Sequence, residues 1–280
     1  MIIDFHTHVF PSFFRDMKGP LSGEPGFMSI YNSPKAKLVG VRQLINNMDN
    51  EGINRSVIFG FPWDNYENFK RHNDYIIEAV TRYPERLIGF SCFSPLSKDG
   101  ARESERCLRS GLSGVGELAL YRTGISSESF NALGEVMNIC REFDVPLLLH
   151  INEPVGHEYP GKVPVDLGQV YAFIKAYPFN KIVLAHWGGG LFFYTIMKNE
   201  VKDALKNVWF DTAASPFLYT PDVYRIAVEF TDPEKILFGS DYPLIKPQRY
   251  FNEMLSAGIS DSAIMQIKGL NAVELLRLKA

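Results

Sequence analysis

Apolar runs of five to eight residues recur along the chain, each followed by a longer stretch whose apolar positions return every three or four residues. The short runs are MIIDF, RSVIFG, RLIGFSCF, GVGELAL, VPLLLH, KIVLAH, VWFDTA and KILFGS. Their length and β-branched content predict strands with little exposed face. The stretches with helical period include VRQLINNMDNEG, YIIEAVTRYP, ARESERCLRSG, SESFNALGEVMNICREFD, DLGQVYAFIKAYP, LFFYTIMKNEVKDALK and PDVYRIAVEF, and several stop at Gly, Asn or Pro. Eight strands alternating with helices over 280 residues predict an α/β chain folded as a (β/α)8 TIM barrel, with a doubly wound sheet as the alternative. The predicted strand ends fall at His8, Gly60, Phe93, Glu117, His150, His186, Ala213 and Asp241, so the first interval is 52 residues and the later ones run from 24 to 36. Residues 1–280 therefore read as one barrel domain with an insertion at about 11–37. That Gly/Pro/Ser-rich segment, too irregular for a second domain, is expected to form a long loop over the barrel mouth.

Composition narrows the choice of partner. A net charge of -3 with scattered charges leaves no basic stripe for nucleic acid and no polybasic patch for a membrane surface, so a small molecule is the expected partner. Cys92, Cys107 and Cys140 form neither a disulfide framework nor a CxxC zinc knuckle, and suit a reducing compartment as buried apolar residues. Neither a leader nor an apolar run of membrane-spanning length is visible. The expectation is a cytoplasmic protein, with a homodimer as the assembly it would admit.

Chemistry gathers at the predicted strand ends. In DFHTH, His6 and His8 sit two apart, so on a strand both imidazoles leave from the same side. Such a pair is a weak signal alone. Four other strands end on Glu117 in GVGEL, His150 in PLLLH, His186 in IVLAHWGGG and Asp241 in LFGSDYP. A barrel would bring all six to its C-terminal mouth, where barrel active sites lie. Imidazoles with carboxylates suit zinc, manganese, iron or cobalt, and the lack of cysteine argues against a closed structural zinc site. An ion with an open position would activate water, and Asp241 is the carboxylate chosen to accept the proton.

In this order, DFHTH, YPERLIGFSCFSP, GVGEL, LLLH, IVLAHWGG, ILFGSDYP and IKGLNAVELL make the whole chain resemble the amidohydrolase superfamily. The likeness is to the amidohydrolase-related branch that includes enzymes similar to aminocarboxymuconate-semialdehyde decarboxylase. The resemblance implies a divalent ion, usually zinc, held by His6, His8, His150 and Asp241, with His186 near or on the metal to polarise or orient the substrate. Manganese is the alternative ion. Many superfamily members bridge two metals with a carboxylated lysine at strand four, where this chain has Glu117. One ion is expected, or two if Glu117 bridges; Glu117 could equally orient a histidine.

The first expectation is hydrolysis of an ester, lactone or amide by metal-activated water, with Asp241 as base and His186 stabilising the oxyanion. The alternative is a metal-dependent non-oxidative decarboxylase of an aromatic or unsaturated carboxylic acid; a non-catalytic metal-binding barrel is a third. Candidate substrate contacts are His157 in the loop after strand five, Arg122 after strand four and Trp187 behind His186. For Arg122 a solvated surface position competes, and for Trp187 packing between barrel and helix. His72 is left out of the site as a surface or capping histidine. The GGG at 188–190 is expected to let the chain turn tightly.

Overall fold

The computed structural model describes residues 1–280 except 17–20, 22, 34–35, 122–123, 125, 199 and 280, together with the side chain of Ser127. Eight parallel strands are present: β1 (Ile3–His8), β2 (Arg55–Phe59), β3 (Leu87–Gly89), β4 (Val115–Leu118), β5 (Leu147–Leu149), β6 (Ile182–Leu184), β7 (Val208–Asp211) and β8 (Ile236–Leu237). Ladders join β1 through β3 and β4 through β8 in sequence order. Two seams close these into a ring. At one, Ser91 bridges to Val115, with Ser113 N donating to Gly89 O at 2.8 Å and Gly116 N to Ser91 O at 2.7 Å. At the other, Thr7 bridges to Tyr242, Phe5 N donates to Phe238 O at 2.7 Å and Asp241 N to His6 O at 3.0 Å. The molecule is a (β/α)8 barrel. β1, β3, β5, β6 and β8 are buried along their whole length, as expected of parallel strands covered by helices on one side and packed side chains on the other.

Helices follow the strands where apolar periodicity predicts them, with two informative departures. The helix predicted from Tyr75 begins at Tyr66 and runs to Arg82, because Asn65 accepts hydrogen bonds from Glu67 N and Asn68 N and starts it earlier. The stretch LFFYTIMKNEVKDALK is not one helix. His186–Ile196 forms tight 3-10 turns and only Glu200–Ala204 is α-helical. Phe193, Tyr194, Ile196 and Met197 are exposed there, so the stretch has no continuous face to bury.

The insertion carries two short helices, Ser12–Asp16 and Pro25–Tyr31. Aromatic packing fixes them over the barrel: Phe14 stacks on Trp63 with centroids 4.4 Å apart, and Phe27 contacts Tyr31, Phe61 and Trp63. Glu24, buried, accepts from Asp64 N at 2.9 Å, Asn65 N at 3.1 Å and Asn68 Nδ2 at 2.7 Å, tying the insertion to the start of helix Tyr66–Arg82.

His72 is not a surface or capping residue. It lies inside that helix, fully buried, accepts from Trp63 Nε1 at 2.9 Å through Nδ1 and donates from Nε2 to Val9 O at 2.7 Å. Burial is the largest cause lowering its pKa to about 3. A Cβ on Gly60 would stand 2.7 Å from its ring, so glycine there makes room for the histidine. Cys92, Cys107 and Cys140 are buried and none is in a disulfide. No helix among the described residues is long and apolar enough to cross a membrane.

Candidate metal centre and active site

The six predicted strand-end groups meet at one end of the barrel: His6, His8 and Asp241 gather beside Glu117 Oε2, while His186 and His150 approach Glu117 Oε1. His6 Nδ1 donates to Asp211 Oδ2 at 2.8 Å, which leaves the lone pair of the neutral ring on Nε2. That Nε2 is buried without a hydrogen-bond partner and lies 3.5 Å from Glu117 Oε2 and 3.7 Å from Asp241 Oδ1. His8 repeats the arrangement: Nδ1 donates to Gly60 O at 3.2 Å, and Nε2 stands 3.5 Å from both Glu117 Oε2 and Asp241 Oδ1. His186 Nδ1 donates to Ala213 O at 3.0 Å, turning Nε2 toward Glu117 Oε1 at 3.4 Å. His150 is reversed, since Nε2 donates to Gly161 O at 3.1 Å and Nδ1 faces Glu117 Oε1 at 2.9 Å and His186 Nε2 at 3.1 Å.

Four neutral imidazoles so held would aim lone pairs at two carboxylates, an assembly of acceptors that needs a cation or shared protons at its centre. The ligand atoms of His6, His8 and Asp241 lie within 4.8 Å of one another, as do those of His6, Glu117 and His186. The orphaned His6 Nε2 and the mixed nitrogen and oxygen donors fit a divalent ion. Charge tells the same story. Burial opposes ionisation at each group, yet Glu117 and Asp211 hold His6 well above the usual histidine range, and His6 and His150 hold Glu117 well below the usual carboxylate range. Against the same burial, Glu117 raises His186 to about 9 and His8 brings Asp241 down to about 2.

Backbone conformation aims two of these side chains. His186 opens a run of left-handed residues, with φ of 55° at His186, 60° at Trp187 and 58–93° across Gly188–Gly190. The glycines take that conformation without strain, and a Cβ on Gly189 would collide with Asn152 O. The expectation of a tight turn is met. Asp241 also sits at positive φ, 57°, immediately before Tyr242 pairs back onto β1.

Above the cage lies a cavity of about 680 Å³. His8, Glu117, His150, His186 and Asp241 form its floor. Tyr121, Tyr159, Phe217, Leu218 and Leu244 wall it, and Ile30, Tyr31 and Lys37 from the insertion line it too. His157 lines the cavity and is exposed, its ring beside Tyr159. Trp187 does not line it: the ring is buried between Phe192 and Tyr224, with Nε1 donating to Ser215 Oγ at 2.9 Å. Packing between barrel and helix explains it. Arg122 lies outside the described residues.

Sequence reasoning passed over Asp211. Fully buried at the end of β7, it receives His6 Nδ1–H on Oδ2 and the backbone N–H groups of His186 at 3.0 Å and Ala213 at 2.9 Å on Oδ1. One carboxylate thus sets the tautomer of His6 and the position of His186. The available signal was an acid at the end of VWFD, an otherwise apolar strand.

A model of the amidohydrolase family (Amidohydro_2) matches residues 3–278, and the chain belongs to that family. Over an alignment of 260 residues it is 25% identical to a gamma-resorcylate decarboxylase of Polaromonas sp. (strain JS666 / ATCC BAA-500), covering 76% of this chain and 77% of the relative. The fold is similar to that of 5-carboxyvanillate decarboxylase from Sphingomonas paucimobilis, with a TM-score of 0.79, 17% identity and 99% of each chain covered. It is also similar to dihydroxybenzoic acid decarboxylase from Polaromonas sp. JS666, solved with manganese and 2-nitroresorcinol, with a TM-score of 0.70, 18% identity and coverage of 100% of this chain and 98% of that one. These relatives overturn the expectation of a hydrolase, because they remove carboxyl groups without hydrolysis. The misreading has a physical source: one histidine and carboxylate cage serves both chemistries, and its motifs carry no record of which bond is broken.

Proposed function

We propose that the protein is a metal-dependent, non-oxidative decarboxylase of a small aromatic carboxylic acid. The observation that carries the reading is the orphaned, buried His6 Nε2 among Glu117, Asp241 and His8, the last three of which line a cavity walled by aromatic and aliphatic side chains. The decarboxylases among its relatives support the same choice. His6, His8, Asp241 and Glu117 Oε2 would hold one divalent ion, while His150 and His186 orient the other oxygen of Glu117. Manganese, bound by one relative, becomes the first candidate ahead of zinc. Bound there, the ion supplies a Lewis acid for an anionic oxygen of the substrate.

The protein's own groups do the rest. Tyr121 and Phe217, which line the cavity, would flank the ring. Heterolysis of the ring-to-carboxylate bond releases carbon dioxide and leaves its electron pair on the ring carbon, which takes one proton. Asp241 and His186 are the groups of the floor able to carry a proton, and Asp241, 17% exposed against 7% for His186, is the more open to substrate and would pass on to the ring carbon a proton taken from solvent. We assign it the delivery.

The test loads purified protein with manganese or zinc and supplies a panel of hydroxylated aromatic acids while carbon dioxide is followed. In deuterated water one deuterium should appear at the vacated carbon. Release of acid from esters or lactones, with no carbon dioxide from any aromatic acid, would overturn the reading.

A further inference from the structure

The cavity is lined by charges of both signs, with the carboxylates buried and the lysine exposed, and by apolar side chains. Its floor holds two carboxylates, Glu117 and Asp241, whose summed charge a divalent ion would cancel. At the mouth stands Lys37, exposed, on the insertion. Among the described residues no carboxylate or carbonyl pairs with its ammonium group. Lys162, the other lysine near the rim, differs: Nζ donates to Val155 O at 2.8 Å and His157 O at 3.1 Å and lies 3.5 Å from Glu153 Oε1. Glu153 is itself engaged, accepting from Tyr159 OH at 3.0 Å. One rim cation is thus tied into the loop after β5, and the other faces the cavity unpaired. Ile30, Tyr31, Tyr121 and Leu244 line the same cavity and offer a ring contact area and no balancing charge.

We propose that Lys37 is a specificity-determining residue whose ammonium group recognises a second anionic group of the substrate, remote from the one held at the cage. The substrate class is then an aromatic acid with anionic groups at two ends of the ring, as in a benzene dicarboxylate. This rests on the decarboxylase reading for its substrate, but the cation and its placement do not. A lysine acts here as a point charge, so arginine in its place retains the function in large part.

The test is equilibrium binding by calorimetry to the manganese-loaded protein, with benzene-1,3-dicarboxylate and benzoate as probes. The native protein binds the dicarboxylate the more tightly. A charge-assisted contact of this kind contributes roughly tenfold, so Lys37→Met weakens the dicarboxylate about tenfold and leaves benzoate within about twofold. Lys37→Arg stays within about threefold of native. Equal binding of both probes by the native protein overturns the proposal, as does an equal effect of Lys37→Met on both, the behaviour of a merely solvated lysine. So does loss of the preference in His157→Gln with its retention in Lys37→Met. Decarboxylation is measured separately: a dicarboxylate preference that depends on Lys37, without carbon dioxide release from any acid, leaves this proposal standing and removes the decarboxylase reading.

Discussion

At the floor of the cavity every imidazole has its second nitrogen fixed by a backbone carbonyl or by Asp211, on strand ends that belong to one closed ring. At the mouth, Lys37, His157 and Leu244 stand exposed on connections between elements, and Phe217 on the short helix Ser215–Leu218. The contrast divides labour. Rigid strand ends hold reacting groups to fractions of an ångström, as catalysis requires, while the rim can change its side chains without disturbing the barrel. Substitutions at the floor should therefore act on metal content and turnover, and substitutions at the roof on stability and on which ligand is accepted.

The largest effect is expected at the floor. Asp241→Asn should reduce carbon dioxide release by about a thousandfold or more, since it removes both a ligand and the assigned proton carrier. Unchanged turnover in this variant would cancel that assignment. Asp211→Asn comes next. It frees the tautomer of His6 and should weaken the metal about 10- to 100-fold, read by competition with a chelator, with thermal stability changed far less. Equal loss of metal and of fold would make Asp211 a structural residue instead.

The roof should respond in stability. Glu24→Ala leaves Asp64 N, Asn65 N and Asn68 Nδ2 without their acceptor and should cost about 2–3 kcal/mol, measured by urea denaturation, with metal content intact. Metal loss in step with this variant would show that roof and floor are one unit. The smallest effect near neutral pH is that of His72, which grows only on acidification. His72 has a folded pKa of about 3, below its unfolded value of 6.5, so between these limits the unfolded chain binds the extra proton. Stability from this group is complete above pH 6.5 and falls by about 1.4 kcal/mol per pH unit on acidification toward 3. His72→Gln should flatten that slope in denaturation curves collected across the range.

Far more of the floor than of the roof could be read from the chain. Strand alternation and barrel geometry are enough to send His6, His8, Glu117, His150, His186 and Asp241 to one end, because their positions follow from backbone periodicity. Asp211 escaped because its role depends on which histidine lies across the barrel, a relation that β7 does not encode locally. His72 misled for a similar reason: its burial follows from Trp63 and Val9 folding over it, and the helix pattern around it looks amphipathic either way. Lys37 lies in an insertion without periodicity, where sequence shows only a lysine. The reaction itself was least legible, since water attack and decarboxylation ask the same ligands of the same strands.

The seam where β1 meets the segment after β8 has a consequence for the order of assembly. His6 and His8 are made well before Asp241, and hydrogen bonds from Phe5 to Phe238 and from Asp241 to His6 join them. A nascent chain lacking its last strand therefore has two histidines with no opposing carboxylate at the seam. If these groups hold the proposed ion, its tight capture would wait for the ring to close, and metal content would then report that the barrel is complete.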